Sequence, residues 1–409
     1  MDTLTRRRFL LASGVTGAAA LAAGAGAYTL KDILATAGDR PAGARTLVLV
    51  TLYGGNDGLN TVIPYADPAY HDARPELAYS ENEVLRLDDG LGLNPALAGL
   101  HRLYGEGRLA VVRGAGYPKP NRSHFESMDI WQTAQPDRPG NTGWLGRWLD
   151  TAGGDPRLAV SFEPVLPVLL AGENGAGAAV PVTRQLAKGA RTDQIVTAFA
   201  KEGQEGGTLL RARAAACFAD LLAVDALVAG ARQAAEAAEE DDDENAATAT
   251  GGGTSPLQAQ LDLVAQCVEA NVATRVFSVS LGGFDTHADE KLAQSILLGQ
   301  LDKALAGFAG RMAGRDVVVA VYSEFGRRVR ANASDGTDHG TASDVFLLGA
   351  GVHGGLFGAG PSLTDLDDGD LKFTTDFRDV YATLLEDVLG TEPERVLGPR
   401  TGRVEGLLK

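Results

Sequence analysis

The chain has 409 residues, a formal charge of −16 at neutral pH and two cysteines. That length is enough for one large domain with insertions or for two smaller ones, with a sizeable buried core. The acidity argues against nucleic acid or an anionic membrane as partner, and two cysteines, Cys217 and Cys267, are too few for a disulfide framework, although they could pair with each other in an oxidising compartment.

The chain begins with a charged segment that ends at Arg8, followed by an uncharged stretch over residues 9–27 made mostly of Ala, Gly and Leu. Its small residues make it weakly hydrophobic, so it reads as an export signal in preference to an uncleaved membrane anchor. Thr5-Arg6-Arg7-Arg8-Phe9-Leu10 resembles the twin-arginine consensus. The resemblance implies passage of a folded chain through the twin-arginine translocase to a periplasmic, cell-wall or extracellular location. Small-x-small sites put cleavage after Ala27 or after Ala37, with no membrane anchor left behind. Residues 1–37 hold four basic and two acidic side chains, so their removal takes the charge from −16 to −18. A chain that folds before export can select its metal inside, which makes ligand spacings worth following.

From residue 44 to the end the pattern predicts one α/β domain. Short β-branched runs at 46–52, 109–112, 158–162, 275–279, 316–322 and 345–348 alternate with longer amphipathic stretches. Near-continuous apolar runs of this kind predict a mostly parallel sheet covered by helices on both faces. Ligands in such sheets collect beyond the carboxyl ends of the strands. Residues 203–255 break the pattern as an insertion: an Ala-rich helical stretch, seven acids between Glu236 and Glu244, then Ala, Thr and Gly. The acidic block reads as a solvated loop between two helices; a calcium site is the sharper alternative, but the acids lack the spaced turn residues of a calcium loop.

The chemistry-bearing residues follow the strands. After the first run comes Gly54-Gly55-Asn56-Asp57-Gly58, where Asp57 or Asn56 offers an oxygen to a ligand, or simply closes a turn. After the second comes Asn121-Arg122-Ser123-His124-Phe125-Glu126. Ser123 and Glu126 have the spacing of a capping box opening a helix over 124–134; the same helix start also suits an anion or a serine alkoxide, with Arg122 beside it. Asp285-Thr286-His287 places a carboxylate and an imidazole two residues apart, so that in an extended segment both project to one side and can grip one ion. Glu324 ends the run at 316–322, and Asp338-His339 lies in a Gly-rich loop before the last run. Asp57, Asp285, His287, Glu324, Asp338 and His339 thus supply oxygen and nitrogen ligands for one or two divalent ions, with Zn, Mn, Mg and Ca all open. A shared site requires their ligand atoms to lie within about 5 Å of a common point. His71, His101 and His353 lack acidic or histidine neighbours at ligand spacing and read as structural or surface residues.

Residues 52–65, 116–133, 282–287 and 323–340 together resemble the domain-of-unknown-function 1501 family, whose bacterial members commonly carry twin-arginine signals. More distantly the layout is similar to the alkaline phosphatase superfamily, which includes sulfatases. That resemblance implies an alkaline-phosphatase-like fold, Asp57 as a metal ligand, Ser123 as nucleophile, and Asp285, His287 and His339 on one metal. It implies a metal-dependent hydrolase of small anionic phosphate or sulfate esters. One departure stands out: the superfamily ends the strand over 316–322 with Asp-His-Gly, and this chain has Glu324-Phe325-Gly326. Phe325 cannot bind a metal, so the alternative is an exported binding or assembly protein that keeps the fold without the activity.

Overall fold

The computed structural model describes residues 28–137, 140–163, 166–180, 257–399 and 402–409. The export signal up to residue 27, Cys217 and the whole of the 203–255 insertion, its acidic block included, lie outside the described residues. No helix among the described residues is long and apolar enough to cross a membrane.

A nine-stranded mixed sheet organises the chain. Its members are β1 (Thr46–Tyr53), β5 (Leu109–Gly116), β6 (Ala159–Ser161), β7 (Ala178–Ala179), β8 (Val276–Gly282), β9 (Val317–Ser323), β10 (Ser343–Gly349), β11 (Gly355–Phe357) and β14 (Thr375–Asp376). The spatial order is β11-β5-β10-β9-β1-β8-β6-β7, with β14 also on β5. Two small sheets flank it: β2 (Val62–Ile63), β3 (Leu85–Arg86) and β4 (Gly92–Leu93) form one, and the hairpin β12 (Leu366–Asp367) and β13 (Asp370–Leu371) forms the other. The central pairings β9-β1-β8-β6-β7 are all parallel, and β10 alone runs against both neighbours, β9 and β5.

Every residue of β1, β5 and β9 is buried because both faces of the sheet are covered. Alternate residues feed two cores. Val48, Val50 and Leu52 join Val317, Val319 and Val321 under the helices α3 (Ala98–Gly105), α6 (Leu257–Glu269) and α7 (Glu290–Arg311). Leu47, Leu49 and Tyr53 face the other way, onto α4 (His124–Thr133), α5 (Trp144–Thr151) and α8 (Phe377–Asp387). Trp131, Tyr322, Phe377 and Tyr381 stack and tilt against one another in that second core. The parallel strands and β5 deliver their carboxyl ends to one edge of the sheet. The reversed β10 starts at that same edge, so the loop before it returns there.

The helix α1 (Leu30–Leu34) is part of the fold. Thr29 caps it in a capping box with Asp32, and Leu30 and Ile33 are buried in the first core. A chain that begins at Tyr28 keeps this helix; one that begins at Gly38 loses it. Because each buried aliphatic side chain contributes about 2–5 kcal/mol, a chain started at Gly38 is expected to unfold at a clearly lower urea concentration than one started at Tyr28. Equal midpoints for the two chains would show that α1 does not contribute to the core.

Candidate metal centre

Four loops meet at the carboxyl edge of the sheet: those following β1, β5 and β8, and the segment between β9 and β10. Two features bring them close. Gly54 sits at φ 114° with its missing Cβ directed at the backbone of Phe284 and Asp285, so only glycine lets these loops touch. Arg327, fully buried, then ties them together. Its Nε donates to Gly55 O (2.6 Å), Nη1 to Thr337 O (3.1 Å), and Nη2 to Gly54 O, to Phe284 O (2.8 Å) and to Asp285 Oδ1 (2.9 Å).

Inside this frame three ligand atoms converge. His124 Nε2 and His339 Nε2 are 3.0 Å apart, and Asp285 Oδ1 lies 3.3 Å from the first and 3.0 Å from the second. Ligand atoms held about 2.1 Å from one ion stand about 3.0 Å apart at a right angle and about 3.4 Å apart at the tetrahedral angle. The triangle therefore has the dimensions of a coordination face. His287 Nε2 makes a second triangle on the same edge, 2.9 Å from Asp285 Oδ1 and 3.0 Å from His339 Nε2.

The far nitrogens of these rings fix what the near ones can do. His339 Nδ1 is 2.8 Å from the carbonyl of Arg122, which only accepts, so Nδ1 carries the proton. His124 Nδ1 is 2.8 Å from Glu324 Oε1, a buried carboxylate oxygen that also accepts from Gly54 N (2.9 Å). In their neutral forms both rings thus direct a lone pair from Nε2 at Asp285 Oδ1 and at each other. Three acceptors facing one point need a cation between them. A proton meets the need in part. Burial pushes the His124 imidazole down, but hydrogen bonds with Asp285 and Glu324 outweigh it and raise the pKa to about 9. Burial acts to raise Asp285, yet hydrogen bonds from His124, His339 and Arg327 hold it well below the usual carboxylate range. The donor set suits a divalent metal, and His124, Asp285 and His339 are the residues placed to hold one.

Of the six ligands expected from the sequence, Asp285, His287 and His339 come together. Glu324 stands behind His124, accepting from its Nδ1, and not in the ligand face. Asp338 stands 3.5 Å from His287 Nδ1 in the same outer position. Asp57 is elsewhere: it caps the short 3-10 turn Gly58–Asn60 and pairs with buried Arg74, which holds Val329 O (2.7 Å) and Arg328 O (2.6 Å). Its role is to brace the loop that carries Arg327. Ser123 does open α4, but its side chain makes no capping bond, and the Glu126 carboxylate accepts from Asn121 Nδ2 instead of closing a capping box. Arg122 is engaged as well, its guanidinium held by Asp370 and Asp368 on the β12–β13 hairpin. His124 is the member of this cluster that sequence reasoning missed. It follows Ser123 directly, and a histidine in the first turn of a helix that starts at the ligand edge was the available signal.

Fold and site together define an α/β protein with a His-Asp-His cluster, compatible with a divalent ion, at the carboxyl edge of its sheet. The chain belongs to the DUF1501 family, described as proteins of unknown function, whose model matches residues 110–409. No curated protein matches it in sequence. Among solved structures it is similar to a Bacteroides thetaiotaomicron sulfatase, from work titled for the metabolism of multiple glycosaminoglycans. The two share 12% identity over 88% of this chain and 75% of that one, with a TM-score of 0.36. A likeness so faint assigns no residue a role.

Beside the centre, Glu290 is buried against Asp57 and accepts from Thr337 Oγ1 (2.5 Å). Burial first, and the Asp57 carboxylate second, raise its pKa from 4.5 to about 9. The folded chain therefore keeps a proton that the unfolded chain releases, and this contribution to stability is full below 4.5 and is lost as pH rises towards 9. Wild-type stability is expected to fall relative to Glu290→Gln by as much as about 1.4 kcal/mol per pH unit in that window. Urea midpoints of both chains across the window check it, and parallel slopes would refute it.

Proposed function

We propose that the protein is a metal-dependent hydrolase of phosphate or sulfate esters, working with one divalent ion held by His124, Asp285 and His339, with His287 alongside. The observation that carries this reading is the convergence of two lone-paired Nε2 atoms on a carboxylate oxygen at ligand spacing. Three protein ligands leave coordination positions open, as catalytic sites require, and Asp285 and His287 face solvent. Imidazole with carboxylate favours zinc, manganese or iron over the oxygen-seeking magnesium and calcium. When bound, such an ion supplies Lewis-acid polarisation of an ester oxygen and acidifies water.

The chain's own residues prepare that chemistry. Glu324 and the Arg122 carbonyl hold protons on the far nitrogens of His124 and His339, which keeps the near nitrogens available. Arg327 orients Asp285 and balances its charge. Ser123, one residue from His124 and without a capping bond, remains our candidate nucleophile. The export expected from the twin-arginine segment belongs to the same reading, since a centre built from four loops exists only in a folded chain and would be loaded before the translocase takes it. A second reading, an exported binding or assembly protein without activity, is favoured by Phe325, which leaves no ligand for a second ion.

Metal analysis of the purified chain tests the proposal. About one equivalent of a transition metal is expected, lost in His124→Ala and His339→Ala, and Glu324→Gln is expected to weaken binding about 10–100-fold. Hydrolysis of aryl phosphates and sulfates should follow metal content and fall in Ser123→Ala. Metal bound without any ester hydrolysis would select the second reading, and a metal-free chain would sink the first.

A further inference from the structure

A cleft of about 760 Å³ opens beside the centre. Phe325 belongs to both: its ring centroid is 4.9 Å from that of His124 and 5.1 Å from that of His339, and it lines the cleft. Arg122 also lines the cleft while its carbonyl holds His339. A ligand seated there therefore lies against the wall of the metal residues. Much of that wall is apolar, with Tyr117, Pro120, Leu371 and Phe373 beside Phe325. Phe373 is 37% exposed, a large aromatic ring left open at the surface.

The charges lining the cleft are mostly committed. Arg122 is bound by Asp368 and Asp370, and Lys372 pairs with Asp365. Lys119 has no carboxylate partner among the described residues. It also stands at φ 54°, a left-handed conformation that costs a non-glycine residue about 1–2 kcal/mol. Strain of that kind persists where the surroundings enforce it, and it is concentrated at ligand sites.

We propose that this cleft receives the non-reacting body of the substrate, and that the substrate is a singly charged ester carrying an apolar or aromatic ring system. The inference rests on the hydrolase reading above and narrows it. Phe373 and Pro120, both exposed, offer a ring the contact area that aromatic burial rewards, while Phe325, Tyr117 and Leu371 line the cleft as buried residues. Lys119 matches one negative charge. A second charge would meet only paired cations among the described residues of the cleft wall, and would face the Asp367 carboxylate, which no arginine or lysine neutralises among them. Sulfate monoesters and phosphodiesters carry one charge at neutral pH; phosphate monoesters carry close to two.

Binding of 2-naphthyl sulfate, methyl 2-naphthyl phosphate and 2-naphthyl phosphate to the purified full chain, followed by naphthyl fluorescence, tests this. The two monoanions are expected to bind at least about tenfold more tightly than the dianion, and Phe373→Ala and Lys119→Ala are each expected to weaken them about tenfold. Equal affinities for the three probes, or variants that bind like the parent, overturn the proposal. Measuring metal content and turnover on the same samples keeps the two readings apart. Selective binding by a chain that holds no metal and hydrolyses none of the probes leaves the cleft standing while the hydrolase falls. A metal-loaded, active chain without the selectivity removes the cleft alone. Which monoanion is turned over distinguishes a sulfate ester from a phosphodiester.

Discussion

Three hydrogen-bond acceptors cannot share a point about 2 Å from each of them unless something positive sits there. Asp285 Oδ1, His124 Nε2 and His339 Nε2 are held in that relation by groups that cannot easily yield. A buried carboxylate and a backbone carbonyl hold the far nitrogens of the two rings. A buried guanidinium holds the aspartate. Rotating either ring away would break its bond to Glu324 or to the Arg122 carbonyl, and a hydrogen bond to a charged group contributes about 1.5–3 kcal/mol where a neutral one contributes about 1. The centre is thus preorganised by its outer partners, and the high pKa of His124 records the same demand for positive charge.

The arginines of this edge are architectural. Arg327 draws four loop carbonyls and Asp285 together, and Arg74 does the same for Val329 and Arg328 against Asp57. Asp370 receives both Arg122 and Arg328, linking the start of α4 to the loop that leads to His339. A planar fork with five donors suits several converging carbonyls better than an ammonium would. Arginines that look from the sequence like anion receptors are thus engaged with protein groups: Arg74 and Arg327 are buried, and Arg122 is held by Asp368 and Asp370.

The strands were legible because burial on both faces writes them as continuous apolar runs, as in Val317-Val318-Val319-Ala320-Val321. The reversal of β10 was not, since an antiparallel strand buried on both faces carries the same apolar pattern as a parallel one. Strand-end logic puts Asp285, His287 and His339 at one edge, and their side chains meet there. It misplaced Asp57, because a carboxylate after a strand looks the same whether it faces a metal or an arginine seventeen residues on. His124 carries no strand-end mark, since it stands in the first turn of a helix behind Arg122 and Ser123. Which of two carboxylates meets the near nitrogens of the rings and which accepts from a far one is decided by loop packing, and no spacing in the sequence encodes that for Asp285 and Glu324.

Phe325 shapes the edge on which His124 and His339 stand. Glu324 beside it is fully buried on Gly54 N, Ser323 Oγ and His124. The ring packs against His124 and His339 and occupies the space to which the missing Cβ of Gly55 points. A phenylalanine at this position offers no ligand atom, so the side of the cluster on which it stands is apolar. An apolar side excludes water there and strengthens the electrostatic coupling among Asp285, His124 and His339.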